Sequence, residues 1–314
     1  MPTLPAQLHP ACYPSDPAKA FAFLKDAFAI GTDIPPAPQG SRLAGIVTPH
    51  IDFRVSLPSY AAAFRPLLDE PLAENYLILG VGHRSRLEWN LDRRDYVTPL
   101  GPATCATELV DALADGVDPK RLFQPAAHEA ENSIEFALVW LQALHRLHPA
   151  AKEKDGPVRF VPLLCGGLHH YVDGAAEWDD LAGFHRLAQA LASLFEKFPP
   201  GEKLRLIVSI DGCHMGPRFQ HPYHVTPKLL KATAAWEDVL WDHAAPGDAR
   251  HFLDWLRAEG NQRYFDGVGA LALAMAAGGL AGKPFAIQRT YYEQWFTDRD
   301  HSVVTFSACR VLSE

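Results

Sequence analysis

Three runs of almost uninterrupted apolar residues, LAGIVTP at 43–49, YLILGVG at 76–82 and LRLIVSID at 204–211, restrict the fold of this 314-residue chain more than any other feature. A strand with one wet face alternates apolar and polar side chains. A run without that alternation marks a strand covered on both faces, as in parallel sheets flanked by helices. Three further β-rich runs, VRFVPLL (158–164), FAIQRTYY (285–292) and SVVTFSAC (302–309), accompany them. Helical stretches are expected at 17–29, 106–114, 132–147, 179–197, 226–243, 247–258 and 267–280. Within 132–147, Ile134, Leu138, Leu141 and Leu144 recur at helical spacing. The alternation predicts an α/β sandwich around a central mixed sheet. Segments 32–41 (TDIPPAPQGS) and 198–203 read as linkers, but neither separates a self-sufficient half. Residues 1–314 therefore read as one domain.

Composition limits the partners. Hydrophobic residues make up 48% of the chain, enough to bury a sizeable core. The charge balance, 29 Lys and Arg against 37 Asp and Glu, gives −8 with no block of like charges. That argues against nucleic acid or an anionic membrane as partner. The longest uncharged stretch, from Gly267 up to Lys283, is shorter than the ~20 apolar residues of a membrane span. The opening MPTLPAQLHP lacks a basic region followed by an apolar one, so a cytoplasmic protein is expected. Five scattered cysteines without a C-x-x-C pair predict neither a disulfide framework nor a zinc knot.

In folds of this class, chemistry gathers where strands deliver the chain into loops at their carboxyl ends. All three apolar runs end in a histidine-bearing turn: Thr48-Pro49-His50-Ile51-Asp52, Gly80-Val81-Gly82-His83 and Asp211-Gly212-Cys213-His214. One such histidine is more often structural than functional, but three in equivalent positions point to a site. Phe265-Asp266-Gly267-Val268-Gly269 opens an Ala-rich helix, where spacing alone favours Asp266 as an N-cap over a metal ligand. Asn132 and Glu135 read as a capping box, with His128 in the preceding loop. Cys213 reads as buried and inert, and His169-His170 as a surface turn. No zincin, P-loop, dinucleotide-binding or nucleophile-elbow motif occurs in the sequence.

Taken in order, these segments resemble the Memo family, whose bacterial branch includes AmmeMemoRadiSam system protein B. LHPACYPSDPAKAFAFLKDAF resembles the family's opening turn and helix, GIVTPHIDF its P-H-A-G-Y strand end, and LILGVGHRS its L-G-P-S-H-H turn. TPLG (98–101), ENSIEF (131–136), FVPLLCG (160–166), SIDGCHMGPRF (209–219) and SVVTFSA (302–308) follow in family order. The resemblance implies a fold similar to class III extradiol dioxygenases and a metal held by two histidines and a cysteine. By motif the histidines fall on His50 and His83, while Asp266 stands where the family's C-G-x-G-P-I turn has its cysteine. Two histidines and a carboxylate form the facial triad of non-heme Fe(II) oxygenases.

Loss of the soft sulfur ligand favours Fe(II) or manganese over copper, with zinc a further option. The implied reaction joins O2 to a small-molecule substrate. His214 is its expected acid/base, Asp211 the group that orients His214, and His128 a second proton donor or a group that stabilises bound superoxide. The family's E-H-S-I-E has a histidine where this chain carries Asn132, and Asp52 is a further departure beside the site. The other reading open at this point is a non-enzymatic metal-binding redox or scaffold protein that docks a protein partner.

Overall fold

The computed structural model describes residues 2–31, 33–152 and 156–314. In chain order the regular elements are β1 (Thr3–Pro5), α1 (Pro17–Phe28), β2 (Arg42–Thr48), α2 (Leu57–Phe64), β3 (Asn75–Val81), β4 (Trp89–Leu91), β5 (Asp95–Thr98) and β6 (Gly101–Cys105). Then come α3 (Thr107–Ala114), α4 (Asn132–Leu147), β7 (Arg159–Cys165), α5 (His169–Val172), α6 (Ala182–Lys197), β8 (Leu204–Ser209) and β9 (His214–Met215). The chain closes with α7 (Pro227–Ala244), α8 (Ala249–Glu259), α9 (Val268–Leu280), β10 (Ala286–Thr297) and β11 (Ser302–Ser313). All of the strands join one mixed sheet, whose main path runs β1-β5-β6-β7-β3-β8-β2-β11-β10.

The three unbroken apolar runs become β2, β3 and β8, which lie side by side in the middle of the sheet. β8 pairs in parallel with β2 on one flank and with β3 on the other. Apart from Arg42 and Val81 at their ends, every residue of these strands is buried, as two covered faces require. Helices α1, α2 and α4 pack together on one face, with α2 against β2, β10 and β11 and α4 against β3 and β8. Trp140 of α4 lies stacked on Tyr60 with ring centroids 5.5 Å apart, at the heart of that layer. On the opposite face α9 lies against β3, β7 and β8, with α6 and α8 packed outside it. A helix apolar on every side belongs between two layers, and α9 occupies that place.

The expected elements are all present, with ends shifted by a few residues. The principal differences are the last hairpin, where β10 and β11 run to twelve residues each, and the elements that the apolar pattern did not reveal. These are α2, the one-turn helix α5 and the short strands β1, β4, β5, β6 and β9, the strands of two to five residues apiece. Strands so short carry too few alternations to register as a pattern. Both expected linkers are irregular chain, except that Thr32 lies outside the described residues. His169 and His170 are exposed, on the short helix α5 rather than in a turn.

Candidate metal centre

Three parallel neighbours deliver the site. β2 ends at Thr48, β8 at Ser209 and β3 at Val81, so the loops carrying His50, Asp211 and His83 leave the same edge of the sheet. The two histidine-bearing strands flank β8, a separation of roughly 10 Å at two strand spacings. The loops fold inward over that gap until the imidazoles meet at right angles, with centroids 4.9 Å apart.

Each imidazole is oriented through Nδ1. In the buried His50 that nitrogen lies 3.2 Å from the Ser209 carbonyl, and in His83 it lies 2.9 Å from Oε1 of the buried Glu131. In a neutral imidazole an acceptor at Nδ1 fixes the proton there, so that Nε2 is the nitrogen left to bind a metal, the arrangement seen behind metal-bound histidines. Asp266 completes the group. Its Oδ2 is 3.3 Å from His50 Nε2, and one ligand atom from each of His50, His83 and Asp266 falls within 4.8 Å of the other two.

Apart from the His50 imidazole 3.3 Å from Oδ2, neither carboxylate oxygen of Asp266 meets a hydrogen-bond donor among the described residues. This corrects the N-cap expectation, because α9 begins at Val268 and takes no side-chain cap. The Asp266 amide instead reaches the Gly212 carbonyl at 3.4 Å, tying this loop to the turn after β8. A buried carboxylate with no partner beyond one imidazole is costly unless a cation satisfies it. The donor set of two imidazole nitrogens and a carboxylate oxygen therefore fits a metal ion.

The electrostatics agree. Burial would press the His50 imidazole down, but the Asp211 and Asp266 carboxylates outweigh it and hold its pKa at about 10. For Asp266, burial pushes the carboxyl up, and the charge of His50 overcomes it to leave the pKa lowered. Glu131 is likewise held below its usual range, because its bond to His83 overrides the cost of burial. Negative charge concentrated around two imidazoles favours a bound cation.

Other expected residues are placed differently. Asp211 was expected to orient His214, but its Oδ1 accepts the amides of His50 (2.9 Å) and Ile51 (3.2 Å) and so braces the His50 turn. His214 Nδ1 is met by the carbonyls of Gly212 (3.2 Å) and Tyr264 (3.3 Å). His128 is sealed off beside the Tyr96 hydroxyl, 3.5 Å from its Nδ1, and lies outside the three-residue cluster. Burial holds its pKa down at about 4, so it is a neutral imidazole near pH 7 and not an acid.

The Asn132–Glu135 capping box is also absent. Glu131 caps α4 through the Ser133 amide, while Glu135 binds the amides of Gln7 and Leu8 and the Tyr13 hydroxyl. Asn132 donates instead to the His50 carbonyl at 2.9 Å. Sequence reasoning missed the role of Glu131; only the ENSIEF motif marked its position. Asp52 pairs with Arg54 and accepts from the Cys12 thiol at 3.3 Å. Cys213 is fully buried, which pushes its thiol pKa far up, as expected of an inert cysteine.

His128 carries a pH prediction. Its folded pKa of about 4 lies below the unfolded value near 6.5, so its contribution is full above that value and fades as pH falls towards 4. The shift is worth about 3 kcal/mol at most. Urea unfolding at pH 7 and pH 5 should show the wild type losing more stability on acidification than His128→Gln; equal losses would exclude the effect.

A protein-family model described as Memo-like protein matches residues 6–308, nearly the whole chain. No curated protein is a significant match to the chain. Among the described residues no helix is long and apolar enough to cross a membrane.

Proposed function

The chain belongs to the Memo-like protein family, and from that premise we propose that it is a mononuclear non-heme Fe(II) enzyme using O2 on a small bidentate substrate. The observation that carries this reading is the Asp266 carboxylate, paired among the described residues only with the His50 imidazole, beside two histidines each turned through Nδ1 so that Nε2 is the nitrogen left to a metal. A thiolate at that position would suit Cu(I), whereas a carboxylate with two histidines suits Fe(II) and leaves positions open. Fe(II) held there would supply Lewis acidity towards a phenolic substrate and redox reactivity towards O2.

The chain's own residues do the rest. Ser209 and Glu131 fix the tautomers of the two histidine ligands, and Asp211 and Asn132 hold the His50 turn. His214 is the acid/base. Carbonyl acceptors at its Nδ1 keep the proton on that nitrogen and leave Nε2 as a lone pair able to take a hydroxyl proton.

The test is metal analysis of anaerobically purified protein, followed by oxygen uptake with a panel of catechols and other bidentate phenols. Iron with substrate-dependent uptake is expected. Tightly bound copper without iron, or silence across the panel with iron loaded, would favour a redox or scaffold role with a protein partner. Two variants sharpen the assignment. His214→Ala should keep the metal and lose turnover, and Asp266→Cys should shift preference from Fe(II) towards Cu(I). An Asp266→Cys protein with unchanged metal preference would remove the carboxylate from the ligand set.

A further inference from the structure

Next to the loop that carries Asp266 lies a cavity of about 600 Å3, between the chain after β9 and the turn after α8. Its lining includes Met215, His221, Tyr223, Arg263 and Tyr264. Both tyrosines are exposed, Tyr264 by 50% and Tyr223 by 37%. The His221 ring sits between them, with centroids 4.4 Å from Tyr264 and 4.9 Å from Tyr223. Three adjacent rings at a cavity wall offer planes for a flat organic ligand.

Arg263 supplies the charge. Its guanidinium lies 4.9 Å from the Trp236 ring, its buried Nε has no hydrogen-bond partner, and among the described residues it forms no ion pair. The carboxylate of Glu259 is engaged elsewhere, accepting from Trp236 Nε1 at 3.0 Å. An arginine left unpaired in a cavity of an acidic chain awaits an anion, and its planar fork suits a carboxylate.

The turn is built rather than slack. Asn261 grips Phe265 through two hydrogen bonds, 2.9 Å to its amide and 3.0 Å to its carbonyl. Tyr264 is thereby held at φ 50°, a left-handed conformation that a bulky residue seldom adopts. The same residues that line the cavity also seat His214. The Arg263 carbonyl accepts its amide at 2.9 Å, and the Tyr264 carbonyl faces its Nδ1 at 3.3 Å.

We infer that this cavity binds a planar organic carboxylate, stacked on the tyrosines and paired with Arg263, and that its occupant adjusts His214 through the 263–264 backbone. The inference stands whether or not the neighbouring cluster holds iron. Its test is therefore calorimetric titration of metal-stripped full-length protein with benzoate and with its neutral isostere benzamide. Benzoate should bind saturably, and benzamide at least tenfold more weakly.

Arg263→Gln should weaken benzoate at least tenfold and leave benzamide unchanged, and Tyr223→Ser, in an exposed loop, should weaken both. In the wild type, saturating benzoate should also shift the NMR resonances of His214. Equal affinity for the two probes, undiminished benzoate binding by Arg263→Gln, no saturable benzoate binding, or an unmoved His214 would each overturn the assignment. Should Arg263→Gln not fold, the wild-type comparison of benzoate with benzamide and the Tyr223→Ser result decide the matter.

Discussion

His50→Ala and Asp266→Ala are each expected to abolish stoichiometric metal binding, read by metal analysis after equilibration with Fe(II) under anaerobic conditions. His50 is buried, with Nδ1 turned to the Ser209 carbonyl, so its Nε2 is held towards Asp266. Asp266 offers two oxygens whose partner among the described residues is the His50 imidazole alone, and its removal takes away the charge that balances a dication. Loss of an outer partner usually costs ~10–100-fold in affinity. Glu131→Gln, which keeps an acceptor for His83 but removes its charge, should fall in that range, and loss of a direct ligand should exceed it clearly. If Asp266→Ala bound iron as tightly as the wild type, the carboxylate would be a bystander and the oxygenase reading would fail.

The second large effect is expected on helix α9, where two glycines should respond with opposite signs. Gly269 lies one residue into the helix, three after Asp266, and a Cβ there would run into the Gly166 carbonyl just past β7. That neighbour is backbone, anchored to Glu88 by a 2.7 Å hydrogen bond, so it cannot rotate aside. Gly269→Ala should therefore cost ~3 kcal/mol, at the upper end of ordinary overpacking. It should also weaken metal binding, because lifting the start of α9 off β7 carries Asp266 with it. Gly279, near the other end of the helix, is exposed with nothing within 4 Å of an added Cβ. Gly279→Ala should gain ~0.4–1 kcal/mol by restricting the unfolded chain, with metal affinity untouched. Chemical denaturation paired with metal titration reads both. A neutral Gly269→Ala would mean that the α9 start is not locked against β7.

Much of the site was legible because strand ends are legible. The runs at 43–49, 76–82 and 204–211 announced both-face burial by their lack of alternation, and the residues after them had to be loops at one edge if the strands were parallel. His50 and His83 could be singled out on that ground. Asp266 could not, since an Asp just before an Ala-rich helix satisfies the N-cap pattern as well as it satisfies a ligand. Only the family motif placed it with the histidines.

The misplaced roles share one cause. Asp211 and His214 are three residues apart and seemed natural partners, yet the chain between them bends so that one braces the turn after β2 and the other faces its own Gly212 carbonyl and the Tyr264 carbonyl fifty residues later. His128 is close in sequence to Glu131, which meets His83, but is itself packed away beside Tyr96. Spacing along a loop says nothing of which way a side chain turns.

The sequence by itself settled the layered α/β architecture and the two histidine-bearing strand ends, because hydrophobic periodicity and turn chemistry act over a few residues. Tertiary structure alone decided that Asp266 leaves its helix uncapped, that Glu131 and Ser209 orient the imidazoles, and that His128 stays outside. Those outcomes depend on contacts between segments distant in sequence, where burial selects which polar group finds a partner and which is left open to a cation.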